Sequence, residues 1–284
     1  MANNSNLALL IDADNVSAKI VVGLMAEIAN YGTASVRRIY GDWTSPALGP
    51  WKACLLNHSI TPIQQFAYTS GKNATDGAMI IDAMDLMYTG RYSAFCIVSS
   101  DSDFTRLASR IREQAVTVYG FGERKTPHAF VAACNKFTYF DVLNMTFDEP
   151  GTIDKQSQAG ACLPYRERMS KGPADIATGV VTTQLEKRPL NQAAIQALAR
   201  AITDSRSDDD DWVNLAVVGL HLSKLSPDVH PRNYGYQRLR EFAEASGIVE
   251  LKVQPMGEKP PVSLVRLKER MPVGFTRREL TREV

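Results

Sequence analysis

The sequence predicts an α/β fold with a parallel, Rossmann-like sheet, followed by a smaller domain of helices and a hairpin. Three observations favour this organisation. Short apolar runs alternate with amphipathic segments through the first half of the chain, which is typical of strand–helix–strand units. The length of 284 residues suits about two domains. Residues 149–188 are rich in Gly, Pro, Ser, Thr and charge, which indicates a linker between them.

The elements of the first domain, residues 1–148, follow from the spacing of apolar side chains. The predicted strands are short apolar runs at residues 7–11, 35–40, 61–66, 94–98 and 116–120, with a further one at 137–141. The predicted helices have apolar residues every three or four positions and cover residues 16–31, 51–58, 76–88 and 102–114. Parallel strands of this kind are covered on both faces and bind ligands beyond their carboxyl ends.

The second domain, residues 189–268, has a different pattern. Its predicted elements are helices at 189–203, 212–225 and 234–245, then strands at 248–253 and 262–267. Three helices followed by a hairpin is the order of a winged helix. Residues 269–284 form a basic C-terminal tail.

Composition excludes several classes of protein. The net charge of +1 is not that of a uniformly basic nucleic-acid binder. The charge is unevenly divided: residues 1–150 carry 12 basic and 14 acidic side chains, whereas residues 151–284 carry 20 basic and 17 acidic ones. No apolar run is long enough to predict a membrane span, and the first residues do not resemble a signal peptide. The cysteines are scattered without metal-ligand spacing, which favours reduced core thiols. We therefore expect a cytoplasmic protein with no membrane partner, whose oligomeric state the sequence leaves open.

Carboxylates follow two of the predicted strands. Asp12 and Asp14 come directly after the first strand, and Asp101 and Asp103 follow the fourth. Asp76 opens the helix at 76–88. Carboxylates held on one rim of a sheet repel one another unless a cation neutralises them. Oxygen ligands without His or Cys favour a hard divalent ion, Mg²⁺ or Mn²⁺.

Helix capping is the alternative explanation for each of these residues. Asp and Ser are common at helix starts, so any one of them taken alone is better explained as a cap. The gathering of several at the strand ends of one sheet favours a site. Asp85 is about 180° around the helix from Asp76, so we expect it to face solvent.

The first domain contains three motifs in order: Leu-Leu-Ile-Asp12-Ala-Asp14-Asn15, Gly71-Lys72 ahead of Asp76, and Val98-Ser99-Ser100-Asp101-Ser102-Asp103-Phe104. Together they resemble the NYN domain, a LabA-like branch of the PIN-type ribonucleases. The resemblance covers residues 6–145 and implies a PIN-like fold and metal-dependent RNA cleavage with Mg²⁺ or Mn²⁺. It implies catalytic and metal-binding roles for Asp12, Asp76, Asp101 and Asp103, with support from Asn15 and Ser100. Lys72 is a candidate contact for an RNA phosphate.

The second domain contains the segment Pro231-Arg232-Asn233-Tyr234-Gly235-Tyr236, followed by Leu239, Arg240 and Phe242. This segment is similar to the LOTUS (OST-HTH) domain, which is often joined to NYN domains. The resemblance implies binding of RNA or of a partner protein. The candidate RNA contacts are Arg232, Asn233, Tyr234, Tyr236, Arg238 and Arg240, with the two tyrosines expected to stack on bases.

Two other functions compete with a ribonuclease. A haloacid-dehalogenase-type phosphatase also has a strand that ends in Asp-x-Asp, as in Asp12-Ala-Asp14, but the residues after Asp14 match that class only loosely. A non-catalytic RNA-binding regulator would use the first domain as a scaffold. The retained carboxylates count against it, because buried carboxylates without a cation destabilise a fold.

Overall fold

The computed structural model describes residues 5–66, 74–143, 187–206, 211–256 and 259–268. The chain forms two compact units, which divide between residues 183 and 184. We call them the α/β unit and the winged-helix unit and describe each by itself. Most of the predicted linker, the predicted tail and Lys72 lie outside the described residues. Within the described part of the chain, no helix is long and apolar enough to cross a membrane.

The α/β unit is built on a six-stranded sheet in which every neighbouring pair of strands is parallel. The strand order is β3-β2-β1-β4-β5-β6. The strands are β1 (Asn6–Asp12), β2 (Thr33–Gly41), β3 (Thr61–Gln64), β4 (Ala94–Val98), β5 (Thr117–Gly122) and β6 (Lys136–Tyr139). The chain therefore reverses its direction of travel across the sheet between β1 and β4, which is where open α/β sheets bind ligands.

Helices cover both faces of the sheet. They are α1 (Val21–Ala29), α2 (Gly49–Cys54), α3 (Ala74–Tyr88), α4 (Thr105–Glu113), α5 (His128–Ala133) and α6 (Phe140–Leu143). Side chains of β1 alternate between the two cores: Leu9 packs with α1, α2 and α6, whereas Leu10 packs with α3, α4 and α5. A central strand buried on both faces explains why its sequence is a continuous apolar run.

The predicted α/β fold is confirmed, with differences at helix boundaries. The helix predicted from residue 16 begins only after a short 3₁₀ turn, Ala18–Ile20, which the Ser17 side chain caps. The helix predicted from residue 102 also begins as a 3₁₀ turn, Ser102–Phe104. The sequence did not predict α5, a six-residue helix that is too short to show a helical period.

Among its described residues, the winged-helix unit has three α-helices and a three-stranded antiparallel sheet with the order β7-β9-β8. Its elements are α7 (Gln192–Asp204), β7 (Val213–Asn214), α8 (Leu215–Leu225), α9 (Leu239–Ala245), β8 (Val249–Met256) and β9 (Lys259–Leu267). One core joins all of them, with Leu198 of α7, Val218 of α8 and Phe242 of α9 each fully buried or nearly so. The order and packing are those of a winged helix.

The third helix of this unit starts later than predicted. Residues Pro231–Tyr234 form a 3₁₀ turn that ends at Gly235, whose φ of 79° is left-handed. Glycine adopts that conformation without the steric cost of a Cβ, so the chain turns there and α9 begins only at Leu239. The early start predicted at residue 234 is wrong for this reason.

Candidate functional site

Asp12 is the last residue of β1, and its side chain is fully buried. The Nδ2 of Asn15 donates a hydrogen bond to Asp12 Oδ2 at 2.8 Å, and the Ser99 hydroxyl donates to the same oxygen at 2.7 Å. The other oxygen, Oδ1, is buried and has no hydrogen-bond partner among the described residues. Burial raises the pKa of Asp12 above its usual range, against the opposing effect of these two hydrogen bonds.

The turn after β4 places two further carboxylates. Ser99 accepts a hydrogen bond from the Asp101 amide at 3.1 Å, so the hydroxyl that contacts Asp12 also holds this turn. Asp101 caps the 3₁₀ turn, with its Oδ1 accepting from the Asp103 amide at 3.0 Å. Ser100, the serine predicted to support the site, instead accepts from the Glu123 amide at 2.8 Å. The sequence pattern did not single out Ser99.

Asp76 lies in the first turn of α3 and is buried. The side chains of Asp76, Asp101 and Asp103 each offer a carboxylate oxygen within 4.8 Å of the other two. Burial raises the pKa of Asp76 to about 6, with the negative charges of Asp12, Asp101, Asp103 and Asp14 adding to the effect. The four predicted carboxylates thus share one electrostatic environment, and we call Asp12, Asp76, Asp101 and Asp103 the acidic cluster.

The acidic cluster fits a hard divalent cation. Its potential ligand atoms are carboxylate oxygens, the donors that Mg²⁺ and Mn²⁺ prefer. A buried carboxylate oxygen without a hydrogen bond, as at Asp12 Oδ1, is costly in the protein alone, and a cation would remove that cost. A cation would likewise relieve the mutual repulsion that raises the pKa of Asp76.

Two other carboxylates on α3 are arranged differently. Asp82 forms an ion pair with Arg38, with 2.5 Å between its Oδ1 and the guanidinium Nη1, and its Oδ2 accepts from the Tyr40 hydroxyl at 2.5 Å. These contacts assign Asp82 to packing between α3 and β2. Asp85 is exposed, as the helical spacing predicts.

The structure corrects part of the RNA contact predicted for the second domain. Tyr234 and Tyr236 are buried, and both rings pack against Phe242, with centroid separations of 5.5 and 6.0 Å. Asn233 is buried and donates to the Asp228 carbonyl at 2.8 Å. Side chains enclosed in the core cannot stack on bases, so we do not retain these three as RNA contacts.

Cationic side chains remain accessible on the winged-helix unit. Arg238 is exposed at the start of α9, and Arg232 is half-buried. A second group lies around Trp212, the first residue of the helix predicted at 212–225, which in the structure precedes β7 and is half-buried. The Arg266 guanidinium lies 4.7 Å from its ring centroid and the Lys252 ammonium 5.9 Å. Sequence spacing does not predict this group, because the pairing of β9 with both β7 and β8 brings its members together.

Fold and site define a protein with two parts: a parallel α/β unit with an acidic cluster at the carboxyl ends of its central strands, and a winged helix. Residues 6–144 match the family model of the NYN domain, and residues 188–261 match that of the OST-HTH/LOTUS domain. The chain therefore carries an NYN domain followed by an OST-HTH/LOTUS domain, in the predicted order. NYN domains belong to a nuclease superfamily.

No match was found among the curated proteins. The chain is similar to a crystal structure of a protein of unknown function from Vibrio parahaemolyticus RIMD 2210633, with a TM-score of 0.41 and 17% identity over 49% of this chain and 94% of that chain.

Proposed function

We propose that this protein is a metal-dependent ribonuclease that hydrolyses RNA phosphodiester bonds at the acidic cluster with Mg²⁺ or Mn²⁺, and that its winged-helix unit binds RNA. The observation that carries the proposal is the grouping of Asp76, Asp101 and Asp103 beside a buried Asp12 whose Oδ1 has no hydrogen bond among the described residues. The NYN match supports nuclease chemistry, and the LOTUS match supports RNA as the substrate class.

The acidic cluster would hold the cation through its four carboxylates. A divalent cation bound there supplies Lewis acidity, which lowers the pKa of a coordinated water and stabilises charge on the phosphate. The protein's own contribution is positional. Asn15 and Ser99 hold Asp12 Oδ2 from two sides and leave Oδ1 as its uncommitted oxygen. Ser99 also links Asp12 to the turn that carries Asp101, so two ligands are positioned by one hydroxyl.

The phosphatase alternative is less well supported by the arrangement around Asp14. In that mechanism the first carboxylate attacks phosphorus and the second donates a proton. Here Asp14 is exposed and its Oδ2 accepts a hydrogen bond from the Thr75 hydroxyl at 2.9 Å. A small chromogenic phosphate ester offered beside RNA separates the two activities, and we expect RNA to be the substrate that is turned over.

The test of catalysis is cleavage of a mixture of structured and unstructured RNAs by the full chain. We expect cleavage with Mn²⁺ or Mg²⁺ and none with EDTA. Asp101→Asn should reduce the rate at least about 100-fold, a loss comparable to that of other electrostatic elements of an active site. Asp85→Asn is the matched control, because Asp85 is an exposed carboxylate on α3, and it should cleave at the parent rate.

Two outcomes would contradict the proposal. Cleavage by Asp101→Asn at the parent rate with metal present would show that the cluster is not the catalytic site. RNA binding by the parent protein without any metal-dependent cleavage would instead favour the non-catalytic regulator.

A further inference from the structure

A groove lies along the flank of α3 that faces β2 and β3, next to the acidic cluster. Its volume is about 690 Å³, within the usual range for small-molecule sites. Gly77 and Ile81 of α3 form one wall, Ile63 of β3 contributes to the other, and the Arg38–Asp82 ion pair lines it. Tyr40, which also lines the groove, is the β2 residue that pairs with Asp12 of β1 in the sheet, so a ligand in the groove would lie beside the acidic cluster.

The presence of a glycine, Gly77, within α3 needs an explanation. Glycine is less favourable than alanine within a helix, so its use there requires a reason. A Cβ built at Gly77 would meet no described atom within 4 Å, so packing among the described residues does not require glycine. The missing side chain keeps the wall of the groove open, and Ile81, one turn further along α3, is 64% exposed.

The charge of the side chains that line the groove indicates whether it would bind the phosphate or the base of an RNA strand. The Arg38 guanidinium is paired with Asp82 at 2.5 Å, so the lining offers little net positive charge to a phosphate. Gly77, Ile81 and Ile63 instead give an apolar slot beside hydrogen-bonding groups. A flat, uncharged group with polar edges matches that lining, and a nucleobase is such a group.

We propose that this groove is a base-binding subsite, which holds the nucleobase next to the phosphodiester bond that is cleaved. The proposal rests on the proposed ribonuclease function and adds a position at which the enzyme contacts a base. Filling the groove should therefore weaken binding of that one nucleotide and no other.

The test is a double-mutant cycle between the groove and the RNA. Binding of a short single-stranded oligoribonucleotide is measured by fluorescence anisotropy with Mg²⁺, with Asp101→Asn in every protein so that the RNA stays intact. An abasic nucleotide is moved along the oligonucleotide one position at a time. Gly77→Leu should weaken binding of the intact RNA about tenfold, the order of magnitude of one lost base contact. At one position the abasic RNA should bind as weakly, and combining the two changes should cost nothing more.

Controls separate occlusion from misfolding. Gly77→Leu should melt at or above the parent temperature, because leucine favours a helix more than glycine does. Ile81→Ala removes an exposed side chain from the same wall and should also weaken binding. Ala26→Leu introduces the same side chain at an exposed position of α1, which packs on the other face of the sheet, and should bind like the parent.

The outcomes distinguish this inference from the proposed function. Parent-like binding by Gly77→Leu and Ile81→Ala, or additive losses at every abasic position, would overturn the base subsite even if the parent enzyme cleaves RNA. Base-dependent coupling at the groove without metal-dependent cleavage by the parent protein would overturn the ribonuclease and leave the groove as a base-binding site of a non-catalytic RNA-binding protein.

Discussion

At the scale of single residues, Asp12 shows most clearly how the acidic cluster is organised. A fully buried carboxylate is unfavourable unless its oxygens are satisfied, and here two donors converge on Oδ2 while Oδ1 has none among the described residues. Asn15 supplies one donor from the same loop, and Ser99 supplies the other from the neighbouring strand end. The cluster is thus held together by hydrogen bonds that cross from β1 to the turn after β4.

The two adjacent serines give a matched pair of variants. Ser99→Ala removes the bond to Asp12 Oδ2 and the bond from the Asp101 amide, so we expect metal-dependent cleavage to fall roughly 10–100-fold, as for other residues that orient metal ligands. Ser100→Ala loses only the bond from the Glu123 amide and should cost about 1 kcal/mol of stability with little loss of rate. The cleavage rate of each variant is measured as a function of Mn²⁺ concentration. Equal losses of rate in the two variants would contradict the role given to Ser99.

The raised pKa of Asp76 predicts how stability depends on pH without divalent cations. The pKa is about 6 in the folded protein, against an ordinary value of 3.8 for the carboxyl of aspartate. The folded state therefore holds more protons than the unfolded state in this interval, and stability falls as the pH rises through it. The loss is at most about 3 kcal/mol. Thermal unfolding in EDTA from pH 4 to pH 7 should show this decline.

Asp76→Asn is the comparison for this measurement. The variant should lose less stability over the same pH range, with the remaining slope attributable to Asp12, whose pKa is also raised. Mn²⁺ should raise the melting temperature of the parent more at pH 7 than at pH 5, because protons compete with the cation at the lower pH. Equal pH slopes for parent and variant would show that Asp76 is not the group responsible.

The carboxylates of the site and the supporting Asn15 could be predicted from the sequence, whereas the supporting Ser99 could not. Asp12, Asp101 and Asp103 follow apolar strands, and that position alone places them on one edge of a parallel sheet. Which of Ser99 and Ser100 turns toward Asp12 depends on where β4 gives way to the turn, a detail of one residue. Sequence patterns specify element boundaries less sharply than that.

At the scale of elements, agreement follows the strength of the apolar pattern. The boundaries of β4 are those predicted, because five buried residues in a row are bounded by polar ones. The prediction that Tyr234 and Tyr236 contact RNA is wrong because aromatic residues beside a helix start suggest contact with a ligand, whereas the fold buries both rings in the core. A tyrosine beside a helix start has the same local pattern in either role, and only tertiary packing distinguishes them.

Tyr236 and Arg238 separate core packing from surface binding in this segment. Tyr236→Ala should destabilise the winged-helix unit by roughly 3–5 kcal/mol, because it removes a buried ring packed on Phe242. Arg238→Ala changes an exposed side chain and should leave the melting temperature unchanged while it weakens RNA binding. Denaturant unfolding and RNA titration measure the two effects. Selective loss of RNA binding by a stably folded Tyr236→Ala would return the tyrosine to the binding surface.

At the scale of the whole molecule, the chain combines a unit with a candidate catalytic cluster and a unit with accessible cations. Each has its own hydrophobic core, so each is expected to fold alone. The two-domain order could be predicted because each unit has its own motif and the intervening composition changes. The proposed linker at residues 149–188 would let the winged-helix unit hold RNA while the α/β unit cleaves it.

Separating the units tests whether the winged helix tethers the substrate. Removing residues 187–268 and the tail should raise the KM for RNA with little change in kcat, because a tethered binding unit raises the local RNA concentration without adding a catalytic group. Residues 187–268 alone should bind RNA with an affinity that falls as salt rises. Arg232→Ala combined with Arg238→Ala should weaken that binding and flatten its salt dependence, as expected when phosphate contacts are lost. The α/β unit alone, assayed with saturating RNA, controls for damage to the catalytic cluster. If residues 187–268 bind no RNA even at low salt, the winged-helix unit does not tether the substrate, and its role is that of a protein-binding module instead.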